Sequence, residues 1–162
     1  MSKYAILTDT RQQKEKHILK EFDNQGILHI RTGLPSADYM ALRYDDKKGF
    51  YLDYRVLIDT KKDIEEIAGN LCNTQSHERI KREIFKGQEL GAKEFIFLIN
   101  GGKVKTANDL KEWTSKRTKV KGETLLKIMC TMKQRYGVRF IICKKADMGK
   151  KILELLSKSW FI

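Results

Sequence analysis

Asp38, Asp59 and Lys61, at the two ends of one hairpin pattern, are the residues best placed to do chemistry in this chain. They lie in LPSADYMALRYDDKKGFYLDYRVLIDTKKDIEE. If 38–44 and 50–59 pair antiparallel around the polar loop DDKKG at 45–49, the first residue of one strand lies beside the last of the other. Asp38 and Asp59 then meet, and Lys61 shares the face of Asp59 wherever the strand persists that far. Asp9 ends an earlier strand pattern and reaches the same rim. Phosphodiester cleavage uses such a set. A hard cation such as magnesium prefers carboxylate and water oxygens, which Asp38 and Asp59 would supply. The bound cation would polarise the phosphate and acidify a water, while Lys61 orients that water or stabilises charge building on the phosphate.

The tripeptide Asp-x-Lys is not distinctive by itself, since it occurs at 45–47, 46–48, 59–61 and 109–111. The first two fall in the hairpin loop and the last in a polar helix. Only 59–61 closes an apolar strand with an acid waiting at the other end of its hairpin. A plainer reading stands beside it: Asp59 and Thr60 cap the next helix, with Asp63 completing a pattern like a capping box.

The elements that must position these residues are legible in the periodicity. YAILTD (4–9), ILHIR (27–31), 38–44, 50–59, KEFIFLI (93–99) and VRFIIC (138–143) read as strands. Helical spacing marks 13–24, then Ile64, Ile67, Ala68 and Leu71, then 76–90, 122–136 and 146–158. Helices and strands alternating after an antiparallel hairpin predict an α/β fold with a mixed central β-sheet flanked by helices. The 100–106 linker is too short for a domain boundary, so 1–162 is expected to be a single domain, with Gly101-Gly102 its one plausible hinge.

Charge is unevenly distributed. Residues 1–100 carry 17 Lys/Arg and 16 Asp/Glu, whereas 101–162 carry 16 and 5, so nearly all of the +12 net charge lies in the second part. Such asymmetry suits a polyanion, either a nucleic acid backbone or an anionic membrane surface. No apolar run approaches the ~20 residues a membrane-spanning helix needs, and no signal-peptide core follows Met-Ser-Lys. Three cysteines, Cys72, Cys130 and Cys143, fit neither a disulfide framework nor a zinc set, so they are read as core residues of a reduced, cytoplasmic, non-secreted protein. His17, His29 and His77 lack metal-ligand spacing and are assigned surface or packing roles.

These motifs together resemble the XPF-type structure-specific endonuclease domain, a branch of the PD-(D/E)XK nucleases with a restriction-endonuclease-like fold. That family opens with V-D-x-R-E, matched by ILTDTRQ through Asp9 and Arg11. Its G-D at the start of a hairpin is matched by Ala37-Asp38. Its E-R-K-x-x-x-D is matched by DTKKDIE, giving Asp59, Lys61 and, by strict count, Glu65, with Glu66 adjacent. An arginine-bearing helix follows as HERIKRE, carrying Arg79. The departures are Gln12 for glutamate, Ala37 for glycine, Asp59 for glutamate and Thr60 for arginine.

The resemblance implies a Mg2+- or Mn2+-dependent DNA endonuclease acting in DNA repair, recombination or phage DNA processing. Asp9, Asp38, Asp59, Lys61 and Glu65 would be catalytic, and Asp38 and Asp59 would bind the metal. Arg11 and Arg79 would contact phosphate or brace the acids. Lys103, Lys105, Lys116, Arg117, Lys119 and Lys121 flank a short helix containing Trp113 and are the best candidates for gripping a DNA backbone, with a solvated loop as the alternative. A catalytically silent DNA-binding subunit is the rival reading, motivated by Gln12. DNA is the expected partner, with no nucleotide cofactor and no membrane. The apolar Trp160-Phe161-Ile162 would tuck into the domain or make a homodimer contact. The chain is expected to be a compact version of the kind found in bacteria and phages, without an appended helix-hairpin-helix domain.

Overall fold

A computed structural model describes residues 4–12 and 15–158. The chain order is β1 (Tyr4–Asp9), α1 (Lys16–Asn24), β2 (His29–Thr32), β3 (Tyr39–Asp45), β4 (Gly49–Lys61), α2 (Ile64–Cys72) and α3 (Thr74–Glu89). It continues with β5 (Glu94–Asn100), α4 (Ala107–Glu112), α5 (Gly122–Tyr136), β6 (Arg139–Cys143), a 3-10 turn and α6 (Met148–Lys158). The six strands form one sheet in the order β2-β1-β3-β4-β5-β6. β3 runs antiparallel to β1 and β4, while the β1–β2, β4–β5 and β5–β6 pairs are parallel. The expected mixed α/β sheet is therefore present. Trp160, Phe161 and Ile162 lie outside the described residues.

Alternation along the strands divides the core into two layers. Leu7, Met40, Leu57, Phe95, Phe97 and Ile99 point towards α2, α3, α4 and α5. Ile6, Tyr39, Ala41, Ile58, Ile96 and Leu98 point towards α1 and α6. β5 is apolar on both faces because helices cover both, which explains its unbroken FIFLI run. The α2 stripe predicted from sequence is buried in full at Ile64, Ile67, Ala68 and Leu71. Its cap is Asp63, whose side chain accepts a hydrogen bond from Glu66 N at 2.8 Å. Asp59 and Thr60 stay within β4, so the capping role falls to Asp63 alone.

The hairpin register is the feature that builds the site. Ala41 pairs with Asp53, and Asp45 with Gly49. Continued regularly, that register would set Asp38 opposite Val56, with Asp59 on the other face of the sheet. Instead Tyr39 pairs with Ile58, because β4 carries extra residues at the irregularity between Tyr39 and Ala41. The odd shift turns Asp59 onto the face of Asp38, the side covered by α2 and α3. Gly101 is packed rather than hinge-like: its N–H donates to Cys143 O at 3.0 Å, and a Cβ there would fall 2.2 Å from Val104 O. Cys72 and Cys143 are half-buried, while Cys130 is exposed and so not a core residue.

Candidate active site

Asp9, Asp38 and Asp59 end three neighbouring strand segments and are stitched together through the backbone. Asp38 N donates to Ile58 O at 3.0 Å, and its own carbonyl accepts from Asp9 N at 2.9 Å. The three open into a cleft of about 480 Å³ that Lys61, Glu66 and Arg79 also line. Its rim carries cations on exposed side chains, while its floor is acidic and buried. Asp59 and Lys61 are only 6% and 8% exposed.

Each carboxylate is held differently. Both oxygens of Asp9 are committed: Leu34 N donates to Oδ1 at 2.9 Å, and Arg11 Nε donates to Oδ2 at 2.6 Å. Asp9 therefore braces Arg11 and the loop leading to Asp38, a supporting role. Asp38 accepts through Oδ2 from Thr60 N at 2.8 Å, Thr60 Oγ1 at 3.1 Å and Gln12 Nε2 at 3.1 Å. Asp59 Oδ2 lies 2.9 Å from Lys61 Nζ, yet that contact is off the hydrogen-bonding direction and the buried oxygen receives no directed bond. Lys61 also sits over the Phe97 ring at 5.9 Å.

The electrostatics follow from crowding acids in a dry place. Burial pushes the Asp38 carboxyl well above its ordinary range, and the negative charge of the adjacent Asp59 carboxylate pushes it further. Burial likewise raises Glu15, helped by Asp59 and Glu66 and opposed by hydroxyls of Thr60 and Tyr39. Burial works against the charged Lys61, but Asp59 and the other carboxylates outweigh it, so the ammonium is held more tightly than usual. Lys61 thus carries its proton at neutral pH and acts as a fixed positive charge or proton donor. A half-buried and a buried carboxyl group beside one another, one oxygen without a directed donor, are the ligand pattern of a hard cation that keeps water in its shell. No cluster of three or more His, Cys, Asp or Glu forms a closed ligand set among the described residues, so the fit is to the Asp38–Asp59 pair.

Glu65 does not join the cleft. Ser115 Oγ donates to its Oε2 and Lys116 N to its Oε1, both at 2.7 Å, which fixes it to the loop before α5. The reason is rotation: neighbours on a helix point about 100° apart, and the cleft-lining residue is Glu66. Arg11 and Arg79 line the cleft as expected. Lys103, Lys105, Lys119 and Lys121 are exposed and do not line it. His29 pairs with Asp23 at 2.7 Å and His77 Nδ1 meets Leu71 O at 3.0 Å, which are surface and packing contacts. His17 lines the cleft with its Nε2 buried and unpartnered.

Two residues matter that sequence reasoning passed over. Glu83, on α3, accepts Ala37 N at Oε1 (3.1 Å) and Ser36 Oγ at its carbonyl (3.1 Å). It thereby holds Ala37 in the left-handed region, φ 62°, immediately before Asp38. Glu15 accepts the Tyr39 hydroxyl at 2.6 Å from the other face of the sheet. Both lie close in sequence to cleft residues, Glu15 to Gln12 and Glu83 to Arg79 within HERIKRE, but their partners Tyr39 and Ala37 are far away in sequence. The one available signal was Ala37, a residue standing where the resemblance expects glycine. Gln12 Nε2, 2.6 Å from Thr60 Oγ1, shows what the substituted position does here: it donates into the acid cluster rather than adding charge to it.

The family model described as the ERCC4 domain matches residues 8–156. Among solved structures, XPF from Aeropyrum pernix superposes with a TM-score of 0.64 at 15% identity, over 96% of this chain and 65% of that one. XPF from Aeropyrum pernix in complex with DNA gives 0.67 at 15%, over 97% and 65%. This chain thus spans just under two thirds of the length of those structures. No curated protein sequence matches it.

Proposed function

The chain belongs to the ERCC4 domain family, and from that membership and the cleft we propose that it is a divalent-metal-dependent endonuclease hydrolysing DNA phosphodiester bonds. The observation that carries this reading is the pairing of Asp38, half-buried, with Asp59, buried, at the floor of a cation-rimmed cleft. Asp38 and Asp59 would hold Mg2+ or Mn2+, which when bound supplies Lewis-acid polarisation of the phosphate and a more acidic water. Thr60 and Gln12 orient Asp38, and Asp9 fixes Arg11 at the rim. Lys61, protonated and pinned beside Asp59, offsets negative charge as the phosphate becomes pentacoordinate. Arg11 and Arg79 receive the phosphate at the rim, and Lys103, Lys105, Lys119 and Lys121 attract the rest of the backbone. The solved XPF complex contains DNA, which supports the same polymer as substrate here.

The test is a cleavage panel of flap, fork, junction, duplex and single-stranded DNAs with magnesium or manganese. Asp38→Ala and Lys61→Ala should each lower cleavage by roughly 10³-fold, about 4 kcal/mol, while leaving DNA binding in place. Full activity in either variant would sink the assignment. Gln12 favours a second reading, a DNA-binding subunit without catalysis. That subunit would give no carboxylate-dependent manganese binding and no nicking on any DNA.

A further inference from the structure

Glu65 was freed from the cleft by its engagement with residues 113–121, and that engagement defines a second surface. The segment is a small hairpin. Thr114 and Lys121 form an antiparallel bridge, and Ser115 N donates to Val120 O at 2.8 Å. Ser115, 3% exposed, is its anchor: the hydroxyl donates to Glu65 and accepts from Arg117 N at 3.1 Å and Thr118 N at 3.0 Å. Glu65 spends both oxygens on this hydroxyl and on Lys116 N, not on a cationic head group. Lys116, Arg117, Lys119 and Lys121 are all exposed, and none has an ion pair among the described residues. Lys119 stands at φ 60°, a left-handed position where glycine or asparagine would be less strained.

We propose that residues 113–121 form a preshaped grip for the phosphate backbone of DNA, with Glu65 as the positioning residue that sets its shape. The proposal rests on the DNA reading above and assigns it a surface. The backbone N–H groups of Ser115, Lys116, Arg117 and Thr118 are engaged within the hairpin or by Glu65, while the side chains of Lys116, Arg117, Lys119 and Lys121 are left exposed as charge. Charge positions a nucleic acid without reading its sequence. The location fits as well. Glu66 lines the cleft and Glu65 holds the hairpin from the same first turn of α2, so a strand leaving the cleft meets the grip next. Ordering of the loop before the partner arrives also lowers the entropy lost on binding.

Fluorescence anisotropy of a labelled DNA duplex in EDTA, across a salt series, tests this. The combined Lys116→Ala, Arg117→Ala and Lys119→Ala variant should bind about tenfold more weakly and show a log-affinity against log-salt slope shallower by about 2 to 3. Glu65→Ala should weaken binding by roughly threefold alone and add nothing in the triple background, since both act through one loop. Glu65→Gln, which still accepts through its amide oxygen, should recover part of the loss. Thermal melts establish that each variant folds. A folded triple variant with unchanged affinity and slope overturns the grip, as does a Glu65→Ala effect of full size in the triple background. If the wild-type chain shows no salt-dependent DNA affinity, the DNA reading fails and the grip with it.

Discussion

The β3–β4 hairpin buries charge in two places, and the two clusters treat that charge in opposite ways. Partway along the hairpin, opposite Ala41, Asp53 accepts Arg43 Nε and, at 2.9 Å each, Arg55 Nε and Nη2. Arg43 also donates to Leu156 O at 2.6 Å, tying α6 to the sheet. Two guanidinium groups outweigh the cost of burial and hold the Asp53 carboxyl down at about 2. At the open end, Asp38 and Asp59 face one another with a single ammonium beside them, and burial raises Asp38 instead. The first cluster is complete as it stands. The second has an excess of acid that a further cation would relieve, which is the arrangement expected of a site rather than a brace.

The largest effect should come from breaking the complete cluster. Asp53→Ala leaves Arg43, with a side chain 6% exposed, without its main carboxylate. Loss of one partner from a buried pair costs about 3–5 kcal/mol, read as a lower denaturation midpoint. Asp38→Asn at the open end should instead raise the melting temperature of the metal-free protein, because it removes like-charge repulsion. A destabilising Asp38→Asn would erase the distinction between the two clusters.

Acid titration sharpens the same contrast. Asp53 is depressed when folded, so its contribution is present above the unfolded carboxyl value near 4 and is lost as pH falls through about 2. That contribution is on the order of 2 kcal/mol. Asp38 is raised, so its sign reverses: stability is present below the unfolded value and is lost as pH climbs through the folded one. Melts of the metal-free protein from pH 2 to 8 should show the Asp53 loss at the acid end, absent in Asp53→Asn. They should also show a decline above about pH 4 that Asp38→Asn flattens.

The difference between the two clusters also bears on what could be read from sequence. Asp38, Asp59 and Lys61 were legible because a hairpin brings its two termini near one another, although the face they share depends on the register shift. The register shift in β4 was not legible, since a bulge leaves no residue signature in GFYLDYRVLIDTK. Glu65 and Glu66 could not be separated by spacing, because α2 starts only once Asp63 caps it and one residue of phase decides which acid faces the cleft. Glu83 lies 46 residues from Ala37, and no periodicity connects an α3 carboxylate to a loop amide that far away. Residues acting across tertiary contacts stay silent until packing is known.

Glu83 in turn supplies a smaller test of how the open end is held. Glu83→Ala removes the acceptor of Ala37 N and should cost about 1–2 kcal/mol in stability. Because that amide precedes Asp38, manganese affinity measured by calorimetry should fall as well. A loss of stability with metal affinity untouched would show that Glu83 braces α3 rather than Asp38.

The smallest effect is expected at Ala37 itself, where three terms nearly cancel. Glycine relieves about 1–2 kcal/mol of left-handed backbone strain. It also gives up a methyl that is 1% exposed, worth about 0.8 kcal/mol, and adds about 0.4–1 kcal/mol of unfolded-state entropy. Ala37→Gly should therefore shift stability by less than about 0.8 kcal/mol in either direction. Ala37→Val, with a branched Cβ in the same conformation, should destabilise clearly. Near-neutral glycine and costly valine together mean that the strain is real and balanced by packing and by Glu83. A neutral valine would mean the loop relaxes freely, and Asp38 would then owe its position to Thr60 and Gln12 alone.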